Sequence, residues 1–196
     1  MVKRGVMVKQ ASLQSNRVAR FEDRKLALDD FNVDPVSRIQ TPWGIDADME
    51  SVPKCVYLKL EDLKCFETVE RQYESWGVIF NNCIAIQPSN PAFPPHSGLV
   101  VLMGSPKSGL LEATFVNPVA IVDAFVTSSQ PLVLSAYDRD RQLVAKTILP
   151  AANLANSDSV EPPNVLLSVR ANEIHRVTFC AFDGQFTVDD FSFCLM

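Results

Sequence analysis

Two acidic dipeptides sit where their chemistry needs explaining. Asp189-Asp190 interrupts the apolar run "FTVDDFSF" (186–193), and Glu61-Asp62 follows the alternating stretch "VYLKL" (56–60). Successive side chains of an extended strand point to opposite faces. Phe186, Val188 and Asp190 are therefore expected on one face, and Asp189, Phe191 and Phe193 on the other. Each face then holds a carboxylate among apolar groups. An unpaired buried carboxylate costs more than a strand can return, so each acid needs a partner.

Other reactive groups are sparse. The two histidines are His96, in the Pro-rich loop "NPAFPPHSG", and His175, in a strand pattern. No GxSxG elbow, HExxH or phosphate loop appears. The paired carboxylates are adjacent in sequence, which suits a glycosidase pair poorly. These features argue against an enzyme. Five cysteines (55, 65, 83, 180 and 194) show no CxxC or zinc-ligand spacing. Cys83 and Cys180 lie inside apolar strand patterns, and the expectation is reduced, buried thiols in a reducing compartment. Trp76, in "YESWGVIF", reads as core or as the start of a strand. Phe93, among Pro91, Pro94 and Pro95, reads as a loop anchor, and Tyr137 as a turn aromatic.

The elements that must position these residues divide the chain in two. Residues 1–54 lack a strand pattern. "ASLQSNRVARFEDRKLALDDF" suits at most a short helix, and the Pro-containing stretch after it is extended. The expectation is an N-terminal arm over 1–54 and a β-sandwich over 55–196. Charge follows the same division. Residues 1–25 carry a net +5, residues 26–54 a net −4 and the body a net −6. The acidic body has no basic stripe, which argues against nucleic acid. No run is long and apolar enough for a membrane helix, so membrane insertion is not expected. The N-terminus has no sustained apolar stretch and does not read as a secretory signal. The expected location is intracellular: cytoplasmic, or organellar if a transit segment has been removed.

From Val56 onward about ten short β-rich runs follow, separated by turn signals such as "PSNP", "SPKSG", "VNP", "SSQP", "DRDR" and "FDGQ". No helix intervenes to make parallel crossovers. The fold class expected is all-β, an antiparallel sandwich of the jelly-roll kind. "DRDR" and "FDGQ" read as hairpin turns.

The order of several weak motifs resembles a known family. Glu61-Asp62-Leu63 closes an opening strand, and Tyr73, Gly77 and Phe80 follow. Ala136-Tyr137-Asp138 marks a mid-domain hairpin, and Val188-Asp189-Asp190-Phe191 a closing strand. Over roughly residues 56–194 this pattern resembles galactose-binding-like jelly-roll domains of PEP-CTERM-type bacterial and cyanobacterial proteins. The chain departs from that pattern in its arm and in lacking a signal peptide and sorting tail. The resemblance implies a structural calcium between the first and last strands, with Glu61, Asp62, Asp189 and Asp190 as ligands. Calcium suits such a cluster because it takes about six to eight oxygens in irregular geometry. The alternative is a hydrogen-bond network, one Asp accepting backbone N–H groups at a strand end or bulge.

Two functions suit this reading. One is a non-catalytic structural or linker component of a larger protein assembly, docking through its arm. Arg17, Arg20, Phe21, Arg24, Phe31 and Trp43 would be the contacts, because such residues have no core of their own and Trp and Arg are common hot spots. A light-harvesting complex of the phycobilisome type is an assembly that the family's abundance in cyanobacteria suits. The other is a carbohydrate-binding module, which the jelly roll suits.

Overall fold

Alternating apolar and polar residues make strands that bury one face, and nine are present among the described residues. They are β1 (Cys55–Tyr57), β2 (Val78–Asn81), β3 (Cys83–Ile86), β4 (Val101–Gly104), β5 (Leu110–Ser128), β6 (Leu132–Tyr137), β7 (Leu143–Leu149), β8 (Val165–Cys180) and β9 (Phe186–Leu195). The computed structural model describes residues 54–104 and 108–196, all inside the unit Met49–Met196. The arm contacts expected at Arg17, Arg20, Phe21, Arg24, Phe31 and Trp43 lie outside the described residues. The helical segments described are two single 3-10 turns, Leu60–Asp62 and Glu74–Trp76. The all-β expectation holds.

All pairings are antiparallel, and the long strands serve two layers. The first half of β5 pairs with β2, and the second half with β9. β8 follows β5 along its length, and its second half also pairs with β6, which pairs with β7. One layer is thus β2-β5-β8-β6-β7. The other is β3-β4-β9-β5-β8, with β1 along the C-terminal half of β9. Rings from the two layers meet in the core. Phe80 stands edge-on to Phe191 at 5.3 Å between ring centres, and Phe115 lies 5.1 Å from Phe193. Such aromatic pairs add about 1 kcal/mol each beyond the area they bury.

Several boundaries differ from the sequence expectation, each for a local reason. "VNP" is a bend inside β5, where the register to β8 shifts, and it carries the strand from one layer to the other. Pro118 has no N–H to give the ladder, which suits a bend. "NVLLSV" and "HRVTFCAF" likewise join into one strand, β8, with Glu173 at φ +58 between them. "GVIFNNCIAI", which reads as one run, divides at Asn82 (φ +55), so that β2 pairs with β5 and β3 with β4. "DRDR" is the hairpin turn expected between β6 and β7. "FDGQ" is a tight turn, with Gly184 N–H donating to the Ala181 carbonyl at 3.1 Å. It is no hairpin, because β8 and β9 flank β5 on opposite sides.

The last strand departs most. Between Asp123 and Phe125 of β5 the register to β9 shifts, and Asp190 adopts φ +45. This is a β-bulge, one extra residue that resets the alternation. Phe186 and Val188 therefore share the core with Phe191 and Phe193, and the expected division of these residues between two faces is wrong. Asp tolerates the left-handed region better than most residues.

The cysteine expectation also needs correcting. Cys55 and Cys194 are directly opposed across β1 and β9 and form a disulfide. The thiols of Cys65, Cys83 and Cys180 are free, and only Cys83 is fully buried. Burial pushes the Cys83 thiol pKa well up, which leaves it a small, unreactive hydrophobe.

Candidate functional site

The two acids of the bulge and one of the first dipeptide converge on the loop between β3 and β4. Asp189, 2% exposed, accepts the N–H groups of His96 (2.7 Å) and Ser97 (3.1 Å) on Oδ2 and that of Asp190 (2.7 Å) on Oδ1. Asp190 takes the Ser97 hydroxyl on Oδ1, and its Oδ2 lies 2.6 Å from His96 Nδ1, which donates when the carboxylate is ionised. The His96 ring stacks on Phe125 at 3.6 Å. Glu61 Oε1 accepts from Leu99 N (3.1 Å) and Val100 N (3.2 Å). Gly98 sits between these contacts at φ +58, where an added Cβ would overlap the Glu61 carboxylate. Three carboxylates thus clamp His96–Val100.

This arrangement answers how the acids are neutralised. Burial raises the Asp189 pKa above its ordinary 3.8. The three N–H donors pull it back down without cancelling the rise, and the neighbouring Asp190 charge adds to it. Of the four acids expected as calcium ligands, Glu61, Asp189 and Asp190 meet at the β3–β4 loop and Asp62 does not. Among the described residues no group of three metal-ligating side chains is placed to hold a metal ion. Glu61, Asp189 and Asp190 spend their oxygens on loop N–H and O–H groups, and Asp62 lines a separate cleft with Trp76. A cation there would have to displace the hydrogen bonds that hold the loop.

That separate cleft combines a half-exposed aromatic ring with several polar side chains. Its volume is about 300 Å³, and Lys59, Asp62, Leu63, Lys64, Glu67, Gln72, Tyr73 and Trp76 line it. Local chain geometry builds it. Trp76 ends the second 3-10 turn, its N–H bonded to the Tyr73 carbonyl at 3.0 Å, and Gly77 turns the chain into β2 at φ +104. Only glycine takes that conformation freely. Trp76 is consequently 51% exposed, so of its two readings the core one is corrected and the start of a strand, two residues before β2, is what the structure has. The Tyr73 hydroxyl donates to the Lys59 carbonyl at 2.6 Å, and its pKa is pushed up to about 12, by burial first and then by Asp62 and Glu67. Gln72 bonds the Glu70 N–H and the Thr68 carbonyl, and Glu67 caps the Lys64 N–H. The wall is therefore rigid. The side chains of Lys59, Asp62 and Lys64 make no hydrogen bond or ion pair among the described residues and remain available. Sequence reasoning missed this site, although the Gly77 that follows Trp76 is the local signal of a turn.

Three other positions complete the account. Phe93 is buried, as a loop anchor should be. Tyr137 carries the Arg176 guanidinium 4.9 Å from its ring centre. Asp190 also borders a cleft of about 320 Å³ with Tyr57, Asp123, Phe125 and Leu166.

No family model and no curated protein matches the chain. Solved structures do. A DUF4465 family protein from Bacteroides caccae aligns over 73% of this chain and 100% of its own, at 10% identity and a TM-score of 0.47. An arabinose-bound GH51 α-L-arabinofuranosidase aligns over 65% of this chain and 24% of its own, at 12% identity and a TM-score of 0.38.

Proposed function

We propose that residues 54–196 are a non-catalytic carbohydrate-binding module of the galactose-binding-like jelly-roll type, with the Trp76 cleft as its site. The observation that carries this reading is a half-exposed Trp76, fixed by its turn, beside uncommitted Asp62, Lys59 and Lys64. An aromatic face packs on the C–H face of a sugar ring, and fixed polar groups meet its hydroxyls. The Cys55–Cys194 disulfide supports an oxidising, extracytoplasmic setting in place of the intracellular one expected from sequence. The assembly-linker reading, phycobilisome type included, depends on arm residues outside the described region, so no geometry here speaks for it.

A glycan array probed with the full chain tests the proposal. Binding should be found, and Trp76→Ala should weaken it by about tenfold or more, as loss of a hot-spot aromatic does. No glycan bound, or equal binding by Trp76→Ala, would overturn it. Co-purification of the full chain with a native complex, lost when residues 1–53 are removed, would favour the linker instead.

A further inference from the structure

A second cleft, of about 220 Å³, opens where the β6–β7 turn meets β5 and β8. Three of the five arginines of residues 54–196 line it, Arg139, Arg141 and Arg176, together with His175, Thr114, Glu112 and Asp138. The chain is acidic as a whole, with a net charge of −5. Gathering arginines in one concavity of an acidic protein concentrates positive potential there.

The lining sets three guanidinium groups against two carboxylates, Glu112 and Asp138, and so keeps a net positive charge. Asp138 Oδ1 is spent on the turn itself, accepting the N–H groups of Asp140 (2.9 Å) and Gln142 (2.8 Å). Glu112 reaches Arg176 Nη1 only at 3.4 Å, longer than a strong charge-assisted bond. The Arg176 guanidinium is steadied over Tyr137, and its Nε is buried without a partner among the described residues. The side chains of Arg139, Arg141 and His175 make no hydrogen bond or ion pair among the described residues.

The turn also fixes the backbone of one of these arginines. Arg141 holds φ +63, a conformation that glycine or asparagine takes at lower cost.

We infer that this cleft binds an oxyanion, the sulfate, phosphate or carboxylate group of a ligand. Arg139 and Arg141 supply the planar donor forks that such groups accept, Arg176 a steadied third charge, and Thr114 a hydroxyl. The site is independent of the Trp76 cleft and stands or falls without it.

The test uses the full chain and three probes, inorganic sulfate, inorganic phosphate and acetate, titrated against chloride at equal ionic strength. Binding is read from ¹H–¹⁵N NMR shifts of residues 112–114, 138–142 and 175–176. Saturable shifts with at least one oxyanion are expected. The probe that binds tightest identifies the preferred group. The double variant Arg139→Gln/Arg141→Gln should raise the Kd about tenfold or more, and Glu112→Gln should lower it severalfold by removing a competing anion. Because these side chains are peripheral to the core, the variants should keep the wild-type melting temperature, which is measured alongside. Non-saturating shifts equal to those of chloride would overturn the inference. So would a double variant that stays folded and binds as tightly as wild type.

Discussion

At the scale of single residues, the buried Asp189 accepts from three backbone donors, the N–H groups of His96, Ser97 and Asp190. Asp189→Ala leaves them unsatisfied, and a loss of about 3 kcal/mol or more is expected in urea unfolding. Its pH dependence has a definite sign. Burial raises the Asp189 pKa above 3.8, so the native state binds the proton more tightly than the unfolded chain. Its favourable contribution is full below 3.8 and is lost as pH rises through the native pKa. The stability of wild type minus that of Asp189→Asn should therefore grow on acidification through that window and stay flat near neutrality. Gly98 offers a sharper test of packing. Gly98→Ala should destabilise both through its positive φ and by displacing Glu61. In a Glu61→Ala background only the backbone penalty, about 1 kcal/mol, should remain. A double-mutant cycle that shows no coupling would mean that the carboxylate does not touch this glycine.

At the scale of elements, the bulge at Asp190 and the disulfide determine how the first and last strands serve the core. Deleting Asp190 would remove the extra residue, and simple alternation would then keep Phe191 and Phe193 on the core face with Phe186 and Val188. The thermal melt should stay cooperative, with a lower midpoint because the bonds of Asp190 to His96 and Ser97 are lost. The Cys55–Cys194 bridge closes a chain separation of 139 residues. Its removal by Cys194→Ser should cost about 2–4 kcal/mol. Peptide mapping under non-reducing conditions should recover the 55–194 cross-link, with Cys65, Cys83 and Cys180 alkylated after unfolding.

At the scale of the whole molecule, the core is one cluster drawn from both layers, from Leu58 to Phe193. A chain starting at Lys54 should therefore melt cooperatively. Calcium added to metal-stripped protein should leave the melting temperature unchanged, because the acids are committed to the β3–β4 loop. A calcium-dependent rise reversed by EDTA would show that a ligand set forms after all, since any ligand of the native state alone stabilises it. The Trp76 cleft is built by turns, and the arginine cleft forms where a turn meets β5 and β8; loops on a rigid sandwich are where variable chemistry is placed.

The sequence by itself determined the all-β class, the positions of most strands, the β6–β7 hairpin and the need to neutralise the acids at 61, 189 and 190. These follow from alternation and turn chemistry, which act over a few residues. Only the tertiary structure decided the rest. Whether "VNP" ends a strand or bends it depends on which strands lie on either side. Which of two faces Phe191 takes depends on an extra residue opposite Ala124. Cys55 and Cys194 carry no pairing signal until β1 is laid against β9. Arg139, Arg141 and Arg176 become one cleft only when a turn and a distant strand meet. Each of these is a long-range pairing, and its energy is shared by residues too far apart along the chain for local pattern to reveal.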